Sequence, residues 1–174
     1  GSEMCIRDSH YMDADQPSHA AVLAERVAQA YFALGRVETL LEWETDLNHA
    51  GVIVPGLLCV CAKIHTDRYQ YAAAEASLSA AEARYEESGD EDGMADVRIQ
   101  RAMISLQQGE YRKAVLRVTG VVNCPGIAPG LQGRALNILG SAQLRLGETE
   151  PAIQNLEAAL PFYRAEGSAY ALSQ

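Results

Sequence analysis

Residues 133–167 read GRALNILGSAQLRLGETEPAIQNLEAALPFYRAEG, and the rest of the chain is interpreted from this stretch. On each side of Gly147, apolar and small residues recur at steps of three and four, which places them on one face of a helix. Gly147 indicates a tight turn. Pro151 fits the first turn of the following helix, where its missing N–H is not needed. The stretch therefore predicts two antiparallel helices, with Gly140 opposite Ala152 at their closest approach.

This arrangement resembles the tetratricopeptide repeat (TPR). That family has a large apolar residue, Leu-Gly or Leu-Ala and then Tyr on its first helix, a turn Gly, and Ala, a large residue and Ala on its second helix. Here the corresponding residues are Leu136, Leu139, Gly140, Gln143, Gly147, Ala152, Leu156 and Ala159. Gln143 departs from the family's Tyr. The resemblance implies an all-α fold, a right-handed α-solenoid of antiparallel helix hairpins.

The same pattern recurs along the chain. Its small first-helix residue falls at Ala28, Ala62, Ala102 and Gly140, at spacings of 34, 40 and 38 residues. Four occurrences in phase favour a repeat array. We predict hairpins at about 19–50, 55–88, 94–122 and 131–166, and the start of a fifth helix pair at 168–174. The longer spacings predict loop insertions at Glu87–Gly93 and Asn123–Gly130.

Four residues of the first two hairpins depart from the pattern, and one of them is Tyr69, in a turn that lacks the Gly. Leu40 stands where the family has Ala, and Glu44 stands where it has a large apolar residue, so Trp43 and Leu47 are expected to supply the packing. His65 takes the place of the Tyr and is interpreted as a packing residue with a hydrogen bond. The acidic run from Glu86 to Asp96 is interpreted as a solvated loop whose last part favours the start of a helix.

The N-terminal residues are set apart from the array. Residues 1–9, GSEMCIRDS, look like a cloning scar followed by a translated sequencing adaptor, which would make the chain a fragment. The alternative is a short natural N-terminus. Residues 10–18 are polar and are interpreted as a lead-in.

Composition argues against several classes of function. The 14 Lys and Arg against 23 Asp and Glu give a formal net charge of −9, and direct nucleic-acid binding needs clustered Lys and Arg. The longest apolar run, residues 51–62, contains Pro55 and is far shorter than the ~20 residues of a membrane helix. No signal-peptide pattern is visible, so we expect a cytoplasmic protein with neither a nucleic-acid nor a membrane partner.

The residue types that carry chemistry are scattered. Cys5, Cys59, Cys61 and Cys124 lack the spacing of a zinc site, and no catalytic or phosphate-binding motif is present. We therefore expect reduced, mostly buried thiols, no metal, no cofactor and no enzymatic activity.

The resemblance implies that partners bind in a groove lined by the first helices. The corresponding residues of this chain are Arg26, Gln29, Lys63, Asp67, Gln100, Met103, Arg134, Asn137, Ser141 and Arg145. Six more occupy the same helices: Glu25, Phe32, Cys59, Val60, Ile99 and Gln107. The alternative is that several of these residues are solvated or pack in the interior.

The preferred function is a protein–protein interaction module, a scaffold or a sensor, that holds a protein or peptide in this groove. The hairpins are Ala-rich, with junctions such as Ser88-Gly89-Asp90 and endings such as Leu160-Pro161-Phe162-Tyr163. In this they also resemble the helical arrays of large bacterial transcriptional regulators of the LuxR and maltose-regulator types, or of those with a bacterial transcriptional activator domain. The alternatives are an array that senses a small-molecule inducer and a free-standing TPR adaptor. Self-association through uncapped ends is expected around Leu156, Leu160, Tyr163 and Tyr170.

Overall fold

The computed structural model describes the backbone of residues 17–172 and the side chains of residues 20–164. Every element in this part of the chain is an α-helix, which confirms the predicted all-α class. The helices are α1 (Pro17–Ala33), α2 (Val37–His49), α3 (Pro55–Asp67), α4 (Tyr71–Ser88), α5 (Glu91–Gln107), α6 (Tyr111–Val122), α7 (Pro129–Leu146) and α8 (Thr149–Leu172). Residues 1–16, which include the proposed adaptor and most of the lead-in, lie outside the described residues.

One turn geometry occurs in all four hairpins, between α1 and α2, α3 and α4, α5 and α6, and α7 and α8, and the same bond joins Val52 to Leu47 where α2 ends. The residue after the turn donates its backbone N–H to the carbonyl five residues earlier. These bonds join Arg36 to Tyr31, Gln70 to His65, Glu110 to Ser105 and Glu148 to Gln143, at N···O distances of 2.8–2.9 Å. Such a bond from the residue beyond a left-handed position is a common way to end a helix. Each turn reverses the chain within a few residues, so each helix pair is a short-linked hairpin.

The residue before that donor has a positive φ in all four turns. It is glycine at Gly35, Gly109 and Gly147, with φ of 72°, 77° and 82°. In the second hairpin the same position is Tyr69, at φ 60°. A side chain in the left-handed region is sterically unfavourable. The repeated turn geometry therefore overrides the residue's own preference.

The chain divides into two compact units between Gly89 and Asp90. In the first unit, α2 packs on α1 and α3, α1 packs directly on α3, and α4 packs on α3. Leu40, Trp43 and Leu47 of α2 are buried in its core, and the Trp43 ring lies 5.0 Å from the ring of Tyr31. The expectation that Trp43 and Leu47 supply packing beside Glu44 is confirmed.

The second unit repeats this arrangement. Helix α6 packs on α5 and α7, α5 packs directly on α7, and α8 packs on α7. Helices α7 and α8 meet at glycine: a Cβ added to Gly140 would lie 2.9 Å from the Ala152 carbonyl oxygen and 2.7 Å from Leu156 Cγ. The predicted close approach of Gly140 and Ala152 is confirmed, and Leu156 packs inside this contact.

The acidic run is not the solvated loop that the sequence predicts. Helix α4 continues to Ser88, and α5 begins at Glu91. Asp90 is the N-cap of α5, where its Oδ1 accepts from the Gly93 N–H at 2.9 Å. Because acidic side chains stabilise a helix N-terminus, the run starts a helix. Most residues of the predicted loop insertion at Glu87–Gly93 therefore lie at the end of α4 or the start of α5, and they form no separate loop.

The last helix is also longer than the sequence indicates. Helix α8 runs from Thr149 to Leu172 without a break at Gly167, with Pro161 inside it. Gly167 is flanked by Ala165, Glu166 and Ala169, which favour helix. Residues 168–172 therefore belong to α8 in the described structure and do not start a new pair there.

The strained turn predicts a stabilising substitution. Tyr69→Gly should raise the free energy of unfolding by about 1 kcal/mol, because glycine adopts positive φ without the penalty of a Cβ. Little packing is lost, since Tyr69 is 75% exposed. Urea denaturation followed by circular dichroism measures the change. The matched control, Gly109→Ala, makes the opposite change at the corresponding turn position. It should lower the free energy of unfolding by about 1 kcal/mol. A destabilised Tyr69→Gly protein would contradict the turn geometry.

Candidate functional site

The predicted groove residues differ widely in exposure. In the first unit, Arg26, Gln29 and Asp67 are exposed and Lys63 is half-buried. In the second unit, Arg145 is exposed and the residues Met103, Arg134, Asn137 and Ser141 are half-buried. Most of these side chains therefore have surface that a partner can contact.

Four predicted groove residues are buried. Gln100 is only 4% exposed, and Cys59, Val60 and Ile99 are at most 1% exposed. The repeat register explains Gln100: its position is held by Val60 one hairpin earlier and by Ile138 one hairpin later, and both are buried. Gln100 is thus a polar residue at an interior position, where the sequence analysis expected a surface residue.

Gln100 and Arg134 are brought together by a residue that the sequence analysis did not select. Asp96 Oδ2 accepts a hydrogen bond from Gln100 Nε2 at 2.9 Å, and Asp96 Oδ1 accepts from Arg134 Nη1 at 2.6 Å. Asp96 lies one turn before Gln100 on α5, and Arg134 comes from α7. We call these three residues the Asp96 cluster.

The Asp96 cluster is largely shielded from water. The side chain of Asp96 is 15% exposed and that of Arg134 is 31% exposed. A short, charge-assisted bond between them satisfies both charges. The carboxylate also fixes the orientation of the Gln100 amide, because only its NH₂ group can donate to Asp96.

The amide oxygen of Gln100 is the exception within the cluster. Oε1 is buried and accepts no hydrogen bond from the residues that the structure describes. An unsatisfied buried acceptor costs about 1–3 kcal/mol, so nearly all buried polar groups in proteins have partners. The Asp96 cluster therefore contains a buried hydrogen-bond acceptor that has no partner among the described residues.

Acidic side chains also hold the first helices against each other. Glu25 of α1 accepts from the N–H of Gly56 at the start of α3, at 3.1 Å. Asp92 of α5 accepts from the N–H of Ala128 at the start of α7, at 2.9 Å. Neither α3 nor α7 has a side-chain cap of its own. Glu25, a predicted groove residue, thus stabilises a helix N-terminus.

A second polar network lies inside the first unit, around Glu44. Glu44 Oε2 lies 3.1 Å from His65 Nε2, and its Oε1 accepts from the Ser77 hydroxyl at 2.5 Å. The other ring nitrogen of His65 lies 2.9 Å from Gln70 Oε1. Each of these groups has a partner, so the network closes on itself. The interpretation of His65 as a packing residue with a hydrogen bond is confirmed.

Glu44 also affects the neighbouring thiol. Burial, and next the negative charge of Glu44, raise the pKa of Cys61 well above its ordinary value. A thiol with a raised pKa carries little thiolate at neutral pH and is a poor nucleophile. Cys59 and Cys61 are both buried, and neither forms a disulfide. This network therefore stabilises packing and offers no reactive group.

No protein-family model matches the chain, and no curated protein and no solved structure matches it. Among the described residues, no group of three His, Cys, Asp or Glu side chains could hold a metal ion. None of the described helices has the length and apolar character needed to cross a membrane.

The Glu44 network predicts a double-mutant effect. His65→Ala should lower the free energy of unfolding by about 2 kcal/mol, because it leaves the buried Glu44 carboxyl group with one hydrogen-bond partner fewer. Glu44→Leu in the same chain removes that polar group and restores the apolar residue of the repeat. The double variant should therefore be more stable than His65→Ala alone, as measured by urea denaturation.

The repeat provides the control for this cycle. Leu78 holds the position of Glu44 in the next hairpin and is fully buried. Leu78→Ala should destabilise equally with or without His65→Ala, since no charge is involved. A Glu44→Leu/His65→Ala protein less stable than His65→Ala would contradict the assignment.

Proposed function

We propose that this chain is a TPR-like α-solenoid module that binds a segment of another polypeptide along its first helices. The observation that carries the proposal is the direct packing of α5 on α7, with half-buried polar side chains from both. Arg134, Asn137, Ser141 and Arg145 recur at steps of three and four, so they share one face of α7. A row of partly exposed polar and charged side chains along a rigid helix suits the hydrogen bonding of an extended peptide.

The length of this row sets the size of the bound segment. Arg134 and Arg145 are 11 positions apart, about 17 Å along a helix. An extended polypeptide covers that distance with about five residues. Met103 on α5 adds a flexible apolar side chain, which adapts to differently shaped partners. The expected ligand is therefore a short extended segment with both polar and apolar side chains.

Peptide selection tests the proposal. A phage library of random dodecapeptides is panned against the immobilised protein, and an enriched peptide is synthesised and titrated by calorimetry. The variant Asn137→Ala/Ser141→Ala/Arg145→Ala should bind that peptide at least about tenfold more weakly, which corresponds to about 1.4 kcal/mol. The variant should lose affinity and keep its free energy of unfolding, because these side chains are exposed or half-buried.

A matched triple variant controls for nonspecific effects. Arg112→Ala/Leu116→Ala/Thr119→Ala changes three exposed residues of α6, a second helix. It should bind the peptide as the unmodified chain does. Failure to enrich any peptide would overturn the proposal, and so would equal loss of binding in the two variants.

A further inference from the structure

We propose that this chain associates with a second copy of itself through two of its second helices, with α2 of one copy packing on α6 of the other. The proposal goes beyond peptide binding and does not rest on it, because it uses the second helices and not the first. Two exposed helix faces of opposite charge and matching shape carry it, one in each unit.

The exposed face of α2 is acidic. The helix contains four Asp or Glu residues and no Lys or Arg. Glu38, Glu42 and Asp46 are exposed and follow one another at steps of four, so they line one side of the helix over about 12 Å. Together with Leu41 and Thr45 they surround an open hollow of about 350 Å³. This face therefore combines negative charge with a shallow depression.

The corresponding face of α6 is basic, with an apolar side chain at its centre. Helix α6 contains Arg112, Lys113 and Arg117 and no Asp or Glu. Leu116 holds the repeat position of Glu42 and is 78% exposed, the largest exposure of the large hydrophobic side chains that the structure describes. The hollow on α2 is large enough to accept a leucine side chain. Burying Leu116 there removes apolar surface from water, which favours association.

Charged side chains of both faces are available for pairing with another molecule. Within the described part of the chain, the side chains of Glu42, Asp46 and Arg112 form no hydrogen bond or ion pair. Glu38 differs, because it already accepts from Arg68 at 2.6 Å. A contact between the two faces therefore adds charge-assisted hydrogen bonds without breaking an existing one.

The helix dipoles favour an antiparallel arrangement of the two helices. Arg112 lies in the first turn of α6, where a cation is unfavourable, and Asp46 lies in the last turn of α2, where an anion is unfavourable. Antiparallel packing brings these two ends together, so each residue gains a partner of opposite charge. With Arg112 opposite Asp46, Leu116 lies opposite Glu42, at the centre of the hollow.

A glycine in the same face allows close approach. Gly120 lies inside α6, where glycine destabilises a helix relative to alanine. A Cβ added to Gly120 would meet no atom within 4 Å, so packing within the chain does not require glycine there. In the antiparallel arrangement Gly120 lies opposite Glu38. A second helix packed at this point would use the space that the missing side chain leaves.

Sedimentation velocity of the full chain tests the proposal. Because two helix faces form an interface at the small end of the specific range, we expect reversible association as the protein concentration rises to about 1 mM. Association should weaken strongly between about 0.1 M and about 1 M salt, since the Debye length falls from about 10 Å to about 3 Å. Association that is equal or stronger at high salt would contradict the charge pairing.

Two variants identify the faces. Glu42→Lys/Asp46→Lys changes the α2 face and Arg112→Glu/Leu116→Glu changes the α6 face, and each variant alone should be monomeric. Their equimolar mixture should form a heterodimer, because the first variant keeps its α6 face and the second keeps its α2 face. All four substitutions in one chain exchange the charges across the contact and should restore association. Both variants should fold, since Asp46→Lys and Arg112→Glu place charges that the helix dipoles favour.

Two further variants serve as controls. Glu86→Lys/Glu148→Lys makes the same change in net charge at exposed positions outside both faces, and it should associate as the unmodified chain does. Ile153→Glu/Leu160→Glu tests the exposed apolar residues of α8 as a rival surface, and it should also associate. An unmodified chain that stays monomeric would overturn the proposal. Self-association of either face variant alone, a mixture that fails to associate, or association abolished only by the α8 variant would do the same.

Discussion

The bond from the residue after each turn to the carbonyl five residues earlier is the constraint on which the rest of the fold depends. It closes the end of each first helix and starts the second helix at a fixed angle. The residue just before the donor must then take a positive φ, and Tyr69 does so although it is not glycine. Because each hairpin is formed locally, its apolar face remains to be covered by the other hairpin of its unit. Direct packing of α1 on α3 and of α5 on α7 follows from that requirement.

Both units place polar residues at positions that are apolar in the neighbouring hairpins, with different results. Glu44 replaces the residue that is Leu78 or Val118 in the other hairpins, and His65 and Ser77 satisfy it. Gln100 replaces the residue that is Val60 or Ile138, and its oxygen stays without a described partner. The closed network contributes to the stability of the first unit. The open one joins two first helices of the second unit through Asp96 and Arg134.

The sequence predicted what depends on local spacing. The three turn glycines and the close contact of Gly140 with Ala152 follow from residue types a few positions apart. The sequence misassigned what depends on partners from another hairpin. Asp96 looked like part of a solvated acidic run, yet Arg134, 38 positions away, holds it in a shielded site. Gln100 was expected at the surface because the family resemblance placed it among the groove residues. Its register with Val60 and Ile138 was the available signal for burial, and its four-residue spacing from Asp96 was the signal for their contact.

Amide hydrogen exchange at the turns tests the repeated geometry most directly. The N–H groups of Arg36, Gln70, Glu110 and Glu148 donate to carbonyls in the structure. Those of the next residues, Val37, Tyr71, Tyr111 and Thr149, are at helix starts, where N–H groups lack an intrahelical acceptor. We predict slow exchange at all four donor residues and fast exchange at the residues that follow them. Exchange at Gln70 as fast as at Tyr71 would contradict a common turn, and with it the repeat on which the proposed binding surface depends.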